Sequence, residues 1–415
     1  MAPADAQLYW MSAKIPNDQF LLYVFAGAPG DIAGAVSDVI TRARACPSLR
    51  LRVDDRGAGW RYPVWVERAV DADQIVIHPA DRLDWRACLD AVTGLAVDQL
   101  DLRQKAWRLH LFTPVSDAPG IPGPATVAVV QIGHALGDGI TSATLAGVLF
   151  GRAATVYPVG RPARTRPVRR GIAAASAHRR AERDIAAGLL ARPAEPRPVL
   201  STNNRPAGAR VLRTVVRRRA ELSGPTVTAG VLTAISAALS GYLRARGEDC
   251  PALGAEVPMA KHGVPQANNH FYNVGVGLYP HIASPDERAR LIAADLDTRR
   301  RRGRHLSFAA ADRALVAVPA ALLRWGIAQF DVDARSDVVI GNTVVSSVNR
   351  GADDLDFAGR PVVFTAGCPA LSPMMGITHG VHGIGDTVAI SVHAAESALA
   401  DADEYLARLE AALPA

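Results

Sequence analysis

Lysine is almost missing from this chain of 415 residues: it stands only at Lys14, Lys105 and Lys261, and the rest of the 46 basic residues are arginine. Cysteine is nearly as scarce. The four present, Cys46, Cys88, Cys250 and Cys368, lie far apart with no Cys-x-x-Cys and no secretory leader. That excludes a disulfide framework and a thiolate zinc site, and makes a reducing cytoplasm the expected compartment. No uninterrupted apolar run reaches the roughly 20 residues that cross a bilayer. Aromatic residues make up 6% of the chain and do not interleave with the arginines, which argues against single-stranded nucleic acid as a partner. There is no internal repeat, no glycine-rich phosphate loop and no second His/Asp/Cys cluster at ligand spacing, so neither a metal nor a bound cofactor is expected.

What is there is material for burial: 49% hydrophobic residues against 21% charged. A chain of this length is long for one core and fits two lobes. The formal net charge of +6 reads either as a solvated basic face or as attraction for an anionic partner. Candidates are the phosphates of CoA, an acidic carrier protein, or the anionic surface of a membrane touched from outside. The densest positive run is Asp297-Thr298-Arg299-Arg300-Arg301-Arg302-Gly303-Arg304.

Hydrophobic spacing gives a coarse map. Residues 20–25 read as a strand, and Asp31 caps a helix whose Ile32, Val36, Val39 and Ile40 share a face. The Val-rich residues 125–132 read as a buried strand, and residues 141–150 carry Leu145, Val148 and Leu149 at helical spacing. Between 157 and 206, seven prolines are scattered among many arginines around a polar helical piece near 173–190, the mark of a surface crossover linker. Further on come a strand at 209–216 and a helix with the core stripe Leu232, Ile235, Leu239, Tyr242 and Leu243. Strands at 337–348 and 387–393 follow, then a closing helix through Tyr405, Leu409 and Leu413. The expected division is an N-terminal lobe 1–156, a linker 157–206 and a C-terminal lobe 207–415.

The buried strand stops abruptly at Gly133-His134-Ala135-Leu136-Gly137-Asp138-Gly139. His134 therefore falls on a strand-to-helix turn, where a side chain reaches a cleft. Gly137 and Gly139 are expected to give the turn backbone conformations closed to other residues, with Asp138 holding the loop. Attack of a hydroxyl or amine on a thioester needs a base that takes a proton near neutral pH, and imidazole is the side chain whose ordinary pKa lies there. No protein nucleophile is needed if donor and acceptor are held together. Against this stands a hydrogen-bonded core histidine in a chance His-x-x-x-Asp.

The flanks carry more. Ala4-Asp5-Ala6, Pro47-Ser48-Leu49-Arg50-Leu51-Arg52, Leu100-Asp101 and Trp107-Arg108-Leu109-His110-Leu111 precede the motif. Asn203-Asn204-Arg205-Pro206, Val257-Pro258, Asn273 and Asn342-Thr343-Val344-Val345-Ser346-Ser347-Val348 follow it. In order and spacing the chain resembles the bacterial wax ester synthase/diacylglycerol acyltransferase family. That family belongs to the wider group of His-x-x-x-Asp acyltransferases, with chloramphenicol acetyltransferase and peptide-synthetase condensation domains. The resemblance implies a two-lobed α/β fold, each lobe a mixed sheet with flanking helices, and a tunnel between lobes that acyl-CoA and acceptor enter from opposite faces. It implies His134 as general base, Asp138 orienting the loop through an arginine, and Gly139 as the tight turn behind it. The activity implied is transfer of an acyl group from acyl-CoA to an alcohol. A carrier-protein donor, an amine acceptor in specialised metabolism, or a non-catalytic carrier- or lipid-binding scaffold are the alternatives.

The chain also departs from that family. Gly133 replaces the first His of His-His-x-x-x-Asp-Gly, Lys105-Ala106-Trp107 replaces Pro-Leu-Trp, and Thr228-Ala229 replaces Asn-Asp. Tyr272-Asn273 stands for Gly-Asn and Ser347-Val348-Asn349-Arg350 for Asn-Val-Pro-Gly. These changes mark a divergent branch and alter the expected walls of the site more than its base. Substrate-contacting candidates are Trp107; Asn342 and Ser346, as oxyanion donors on one strand face; and His379 and His382, in the glycine-rich turn 376–383 before a strand.

Overall fold

Capping and apolar spacing set the elements of the N-terminal half much where the sequence puts them. The computed structural model describes residues 1–57, 59–78, 83–160 and 166–413. In chain order come α1 (Pro3–Met11), β1 (Gln19–Ala26), α2 (Ile32–Ala45), β2 (Leu51–Asp54), β3 (Val64–Glu67), β4 (Ile75–His78) and β5 (Leu83–Asp84). Then follow α3 (Trp85–Leu95), β6 (Trp107–Ser116), β7 (Ala125–Ile132) and α4 (Gly139–Leu149). Asp31 starts α2 by accepting the Gly34 N–H, and Asp84 starts α3 through Ala87 N–H, each satisfying an otherwise orphaned helix donor.

The second half contributes α5 (Pro167–Ala186), β8 (Arg197–Pro198), β9 (Arg210–Arg218), α6 (Val227–Ala245), β10 (Gly254–Ala260) and β11 (Phe271–Gly277). It continues with α7 (Pro285–Gly303), α8 (Leu306–Leu315), α9 (Ala320–Ala328), β12 (Val338–Val339), β13 (Thr343–Asn349), β14 (Asp356–Phe357) and β15 (Arg360–Cys368). The chain closes with β16 (Ile377–Ile384), β17 (Thr387–Ala395) and α10 (Ala402–Ala412).

Two mixed sheets organise the chain. The first runs β14-β15-β1-β7-β6-β4, with β5 also on β6, and the second β11-β10-β13-β16-β17-β9. β7 is central in the first sheet and every residue in it is buried, which is why its sequence is a continuous apolar run and not an alternating one. One face of β1 (Leu21, Tyr23, Phe25) packs with α2 and α4; the other (Leu22, Val24) packs with α3 and with Leu212 and Ala389 of the second sheet. Helices α6, α7 and α10 cover the far face of the second sheet. By length and composition α6 would cross a bilayer, but its Leu232, Ile235, Leu239, Tyr242 and Leu243 are all core.

The structure changes three expectations. β14 and β15 pair into the first sheet, so the stretch 207–415 lends two strands to the other lobe. The single strand expected at 337–348 is broken into β12 and β13. At Gly341 the backbone lies against β10 so closely that a Cβ would come within 2.5 Å of Ala255 C. Residues 376–383, read as a glycine-rich turn, form most of the fully buried strand β16. There Gly380 lets the two sheets touch, since a Cβ would come within 2.9 Å of the Gly367 carbonyl carbon and nearer still to its oxygen.

Candidate active site

β7 delivers the chain to Gly133, after which His134–Leu136 form a single tight turn and Asp138 caps α4. The Asp138 carboxylate accepts Thr141 N–H at 2.9 Å on one oxygen and His270 N–H at 3.0 Å on the other. The motif is thus fixed to the loop between β10 and β11. The arginine expected to orient Asp138 is not its partner; two backbone donors are. The glycines act through space and not through unusual dihedrals. Gly133 has φ −63° and Gly137 φ −178°, both open to any residue. A Cβ at Gly137 would lie 2.7 Å from the Thr141 side chain, and one at Gly139 3.2 Å from Val348 Cγ2 across the lobe joint.

His134 is half-buried and stacks on Phe271, ring centroids 5.9 Å apart. Its Nδ1 lies 3.0 Å from Asn269 Oδ1. The Asn269 amide nitrogen is committed, donating to the His134 carbonyl at 2.8 Å and to Asp5 Oδ1 at 2.9 Å. Only the amide oxygen is left to face the ring, so Nδ1 must carry the proton and Nε2 must carry the lone pair. Nε2 makes no hydrogen bond among the described residues and is not one of the sealed, unpartnered polar atoms. Burial holds the ring below the ordinary imidazole value; its own carbonyl, Asn269 and the Asp138 charge act against that shift. The ring is therefore neutral at pH 7, with its basic nitrogen free.

Asp5 completes the support from α1. Fully buried, it accepts Asn268 N–H and Asn269 N–H at 3.0 Å each, in addition to the Asn269 side chain. Desolvation pushes its carboxyl up to about 6 despite these bonds. Neither Asp5 nor Asn269 stands out as a site residue in the sequence alone. The signal was slight: two adjacent asparagines ahead of a strand. Asn273, noted instead, donates to Glu256 at 2.5 Å in an exposed position.

The other candidates do not gather round His134. Trp107 is wholly buried in the first core, its indole N–H bonded to Leu49 O at 2.8 Å. Asn342 is also wholly buried; it donates to Pro198 O and Asn203 Oδ1 and accepts Gly254 N–H, tying the linker to β10. It has no donor left for a carbonyl in a cleft. His379 lies under the second sheet between Thr343 Oγ1 at 2.8 Å and Tyr405 OH at 2.7 Å, and burial pushes its pKa down to about 3. His382 does face the lobe joint, where burial and the charge of Arg350 keep it neutral. Ser346 is half-buried and shares a strand face with Val348.

The arginine run is largely spoken for. Arg299 pairs with Asp295 and, with Arg302, donates to the linker carbonyls of Arg192 and Ala191; Arg301 pairs with Asp297. A cavity of about 60 Å³ lies between the lobes, lined by Phe20, Leu22, Val92, Leu212, Leu371 and His393 among others. One of about 20 Å³ adjoins the motif loop at Asn269, His270, Lys261 and Asp312. Neither is lined by His134, so these two voids do not trace the expected passage past that ring.

Two lobes with mixed sheets and a histidine at the mouth of a buried strand make up a fold that several acyltransferases of known structure share. A wax ester synthase/diacylglycerol acyltransferase from Marinobacter aquaeolei VT8 has it: 17% identity, TM-score 0.64, over 99% of this chain and 97% of that one. The first condensation domain of the CDA synthetase is similar at 14% identity and TM-score 0.60, over 99% and 93% of the two chains. A starter condensation domain of rhizomide synthetase, a mutant solved with C8-CoA and Leu-SNAC, gives 14% and 0.55 over 99% and 91%. No curated protein matches the sequence. The family model for the WS/DGAT C-terminal domain matches residues 267–415. The family model thus finds the resemblance in the C-terminal part of the chain, beyond the His134 motif, and the structural likeness at this low identity extends the shared fold over the whole chain.

Proposed function

We propose that the protein transfers an acyl group from acyl-CoA to a hydroxyl acceptor, with His134 as general base. The observation that carries this reading is the locked Nδ1–H tautomer, which leaves an unpartnered Nε2 lone pair on a neutral, half-buried ring. The acceptor's proton passes to Nε2 as its oxygen bonds to the thioester carbonyl carbon. On collapse the C–S bond breaks, and the departing thiolate takes the proton from Nε2, returning the ring to its starting state. No protein nucleophile enters, because holding donor and acceptor together supplies much of the barrier reduction. Ser346, half-buried on the strand face it shares with Val348, is the hydroxyl assigned to meet the developing oxyanion.

A carrier-bound donor and an amine acceptor form a second reading, favoured by the fold shared with condensation domains. A reducing, cytoplasmic setting fits the four free cysteines. The test is release of free thiol from acyl-CoA in the presence of alcohols, and from acyl-carrier donors with amines. His134→Ala should lower turnover about 10²- to 10⁴-fold. An unchanged rate removes the base assignment. Retained ligand binding with no turnover for any substrate pair, in the unaltered protein, would favour a scaffold.

A further inference from the structure

We propose that Asp5 is a positioning residue for acyl transfer: acting through the Asn269 amide, it fixes His134 with Nε2 as the proton acceptor and supports the positive charge that the ring gains in the transition state. This rests on His134 being the base.

The argument begins with a cost. A wholly buried carboxylate normally has a cationic side chain bonded to it; for Asp5 the only cation that acts among the described residues is the charge of the amino terminus, and the three hydrogen bonds its carboxylate accepts come from Asn268 and Asn269. A fold needing only a link between α1 and the β10–β11 loop would have that link more cheaply from a neutral side chain. What a carboxylate adds is an acceptor that cannot become a donor. Held by Asp5, the Asn269 NH₂ cannot rotate to face His134, so Oδ1 must. The imidazole is thus oriented as in a Ser-His-Asp site, where a buried carboxylate selects the tautomer and stabilises the imidazolium, with one amide interposed. Since the carboxylate acts one group removed, its effect should be that of misplacing the base and not of deleting it.

The surroundings bear on the pH behaviour. Facing Asp5 are the Asn268–Asn269 backbone and the charge of the chain's amino terminus; facing His134 are Asn269, Phe271 and the Asp138 carboxylate. His270 and the Lys261–Asp312 pair, 2.7 Å, lie on the same loop side. Asp5 titrates near 6 and His134 below its ordinary value. Loss of activity in acid should therefore involve two protons.

The experiment is the pH profile of kcat and KM for the purified full chain and for Asp5→Asn, with ¹⁵N NMR of the His134 ring. In Asp5→Asn, kcat should fall roughly 10²-fold with little change in KM, and the acid limb should lose one proton of its slope. In the unaltered protein the neutral ring should be protonated on Nδ1, a reading that needs no variant to fold. A neutral ring protonated on Nε2 overturns the proposal, as does a folded Asp5→Asn with unchanged kcat, slope and tautomer. If His134→Ala is inactive while Asp5→Asn is unaffected, only this inference fails; if His134→Ala is fully active, the functional reading fails with it.

Discussion

Placing a side chain at Gly133 tests whether this structure has room for one where the pattern it resembles has its first histidine. An ideal Cβ on Gly133 would lie 2.7 Å from Leu102 Cδ1, 2.9 Å from Cγ and 3.0 Å from Cδ2. Comfortable carbon contacts begin at about 3.5 Å, so all three are too close by roughly 0.5 to 0.8 Å. Leu102 cannot simply swing away, being 4% exposed and packed with Val53, Tyr62, Leu100 and Ala135. Gly133→Ala should therefore cost about 1–3 kcal/mol as overpacking, reduced by the ~0.4–1 kcal/mol gained from stiffening the unfolded chain, because φ −63° suits alanine. Leu102→Ala alone should cost about 2–5 kcal/mol as a cavity. Together the two should cost less than their sum by about 0.5–3 kcal/mol, since the new methyl enters the space the leucine vacates. Urea denaturation of the four proteins, followed by tryptophan fluorescence, measures the cycle. Additivity within about 0.5 kcal/mol, or a Gly133→Ala protein more stable than the original, would refute the claim that Leu102 occupies the room a side chain at 133 would need.

Two further outcomes follow from the structure. Gly380→Ala should be far worse than Gly133→Ala, because the atom met is the backbone oxygen of Gly367 and not the tip of a side chain; thermal melts should show it losing more than Gly133→Ala, and equal losses would contradict the close approach of the sheets. Acid should destabilise the fold through neutral buried rings: His379 is held near 3, and His110 and His393 near 4. A depressed histidine favours the fold fully above its ordinary 6.5 and loses that contribution as pH falls toward the folded value, by up to about 1.4 kcal/mol per unit. Asp5 and Asp18, both raised to about 6, act in the opposite sense, costing stability as pH rises from 3.8 to 6. His379→Gln should flatten the fall in denaturation free energy between pH 7 and pH 5, and an unchanged slope would show the ring is not held neutral.

Strand and helix periods carried much of the fold, because burial imposes them residue by residue: β7 begins and ends where the Val-rich run does. The transfer of β15 to the first sheet left no such trace, since a strand buried in either lobe reads alike. At the site, the sequence could supply His134 and Asp138, which lie four residues apart. It could not supply Asp5 and Asn269, which approach only when α1 and the β10–β11 loop close over the motif, 264 positions apart in the chain. His379 and Trp107 show the converse: polar or aromatic residues near a motif whose partners, Tyr405 and Leu49 O, exist only in the folded core.

The departures from the family pattern also take on a direction. Arg350, where the pattern has glycine, is 5% exposed and sends its guanidinium from the end of β13 into the first sheet, to Leu22 O at 3.2 Å and to the Thr365 hydroxyl, over the Tyr23 ring. No carboxylate pairs with it among the described residues, and burial lowers its pKa. Its own carbonyl is in turn held by Arg152 at 2.7 Å, which also pairs with Asp354. A buried cation without a counter-charge is expensive, and here it binds one lobe to carbonyl and hydroxyl groups of the other. Gly133 with Leu102, and Arg350 with Tyr23 and Thr365, are both changes in how surfaces meet around the motif. Gly133 is bonded directly to His134, but neither change involves the hydrogen bonds by which Asp5 and Asn269 hold the ring. The departures thus alter the walls and the joint and not the hydrogen bonds that set the ring's orientation, a pattern that would change which substrate fits before it changed the proton transfer proposed at Nε2.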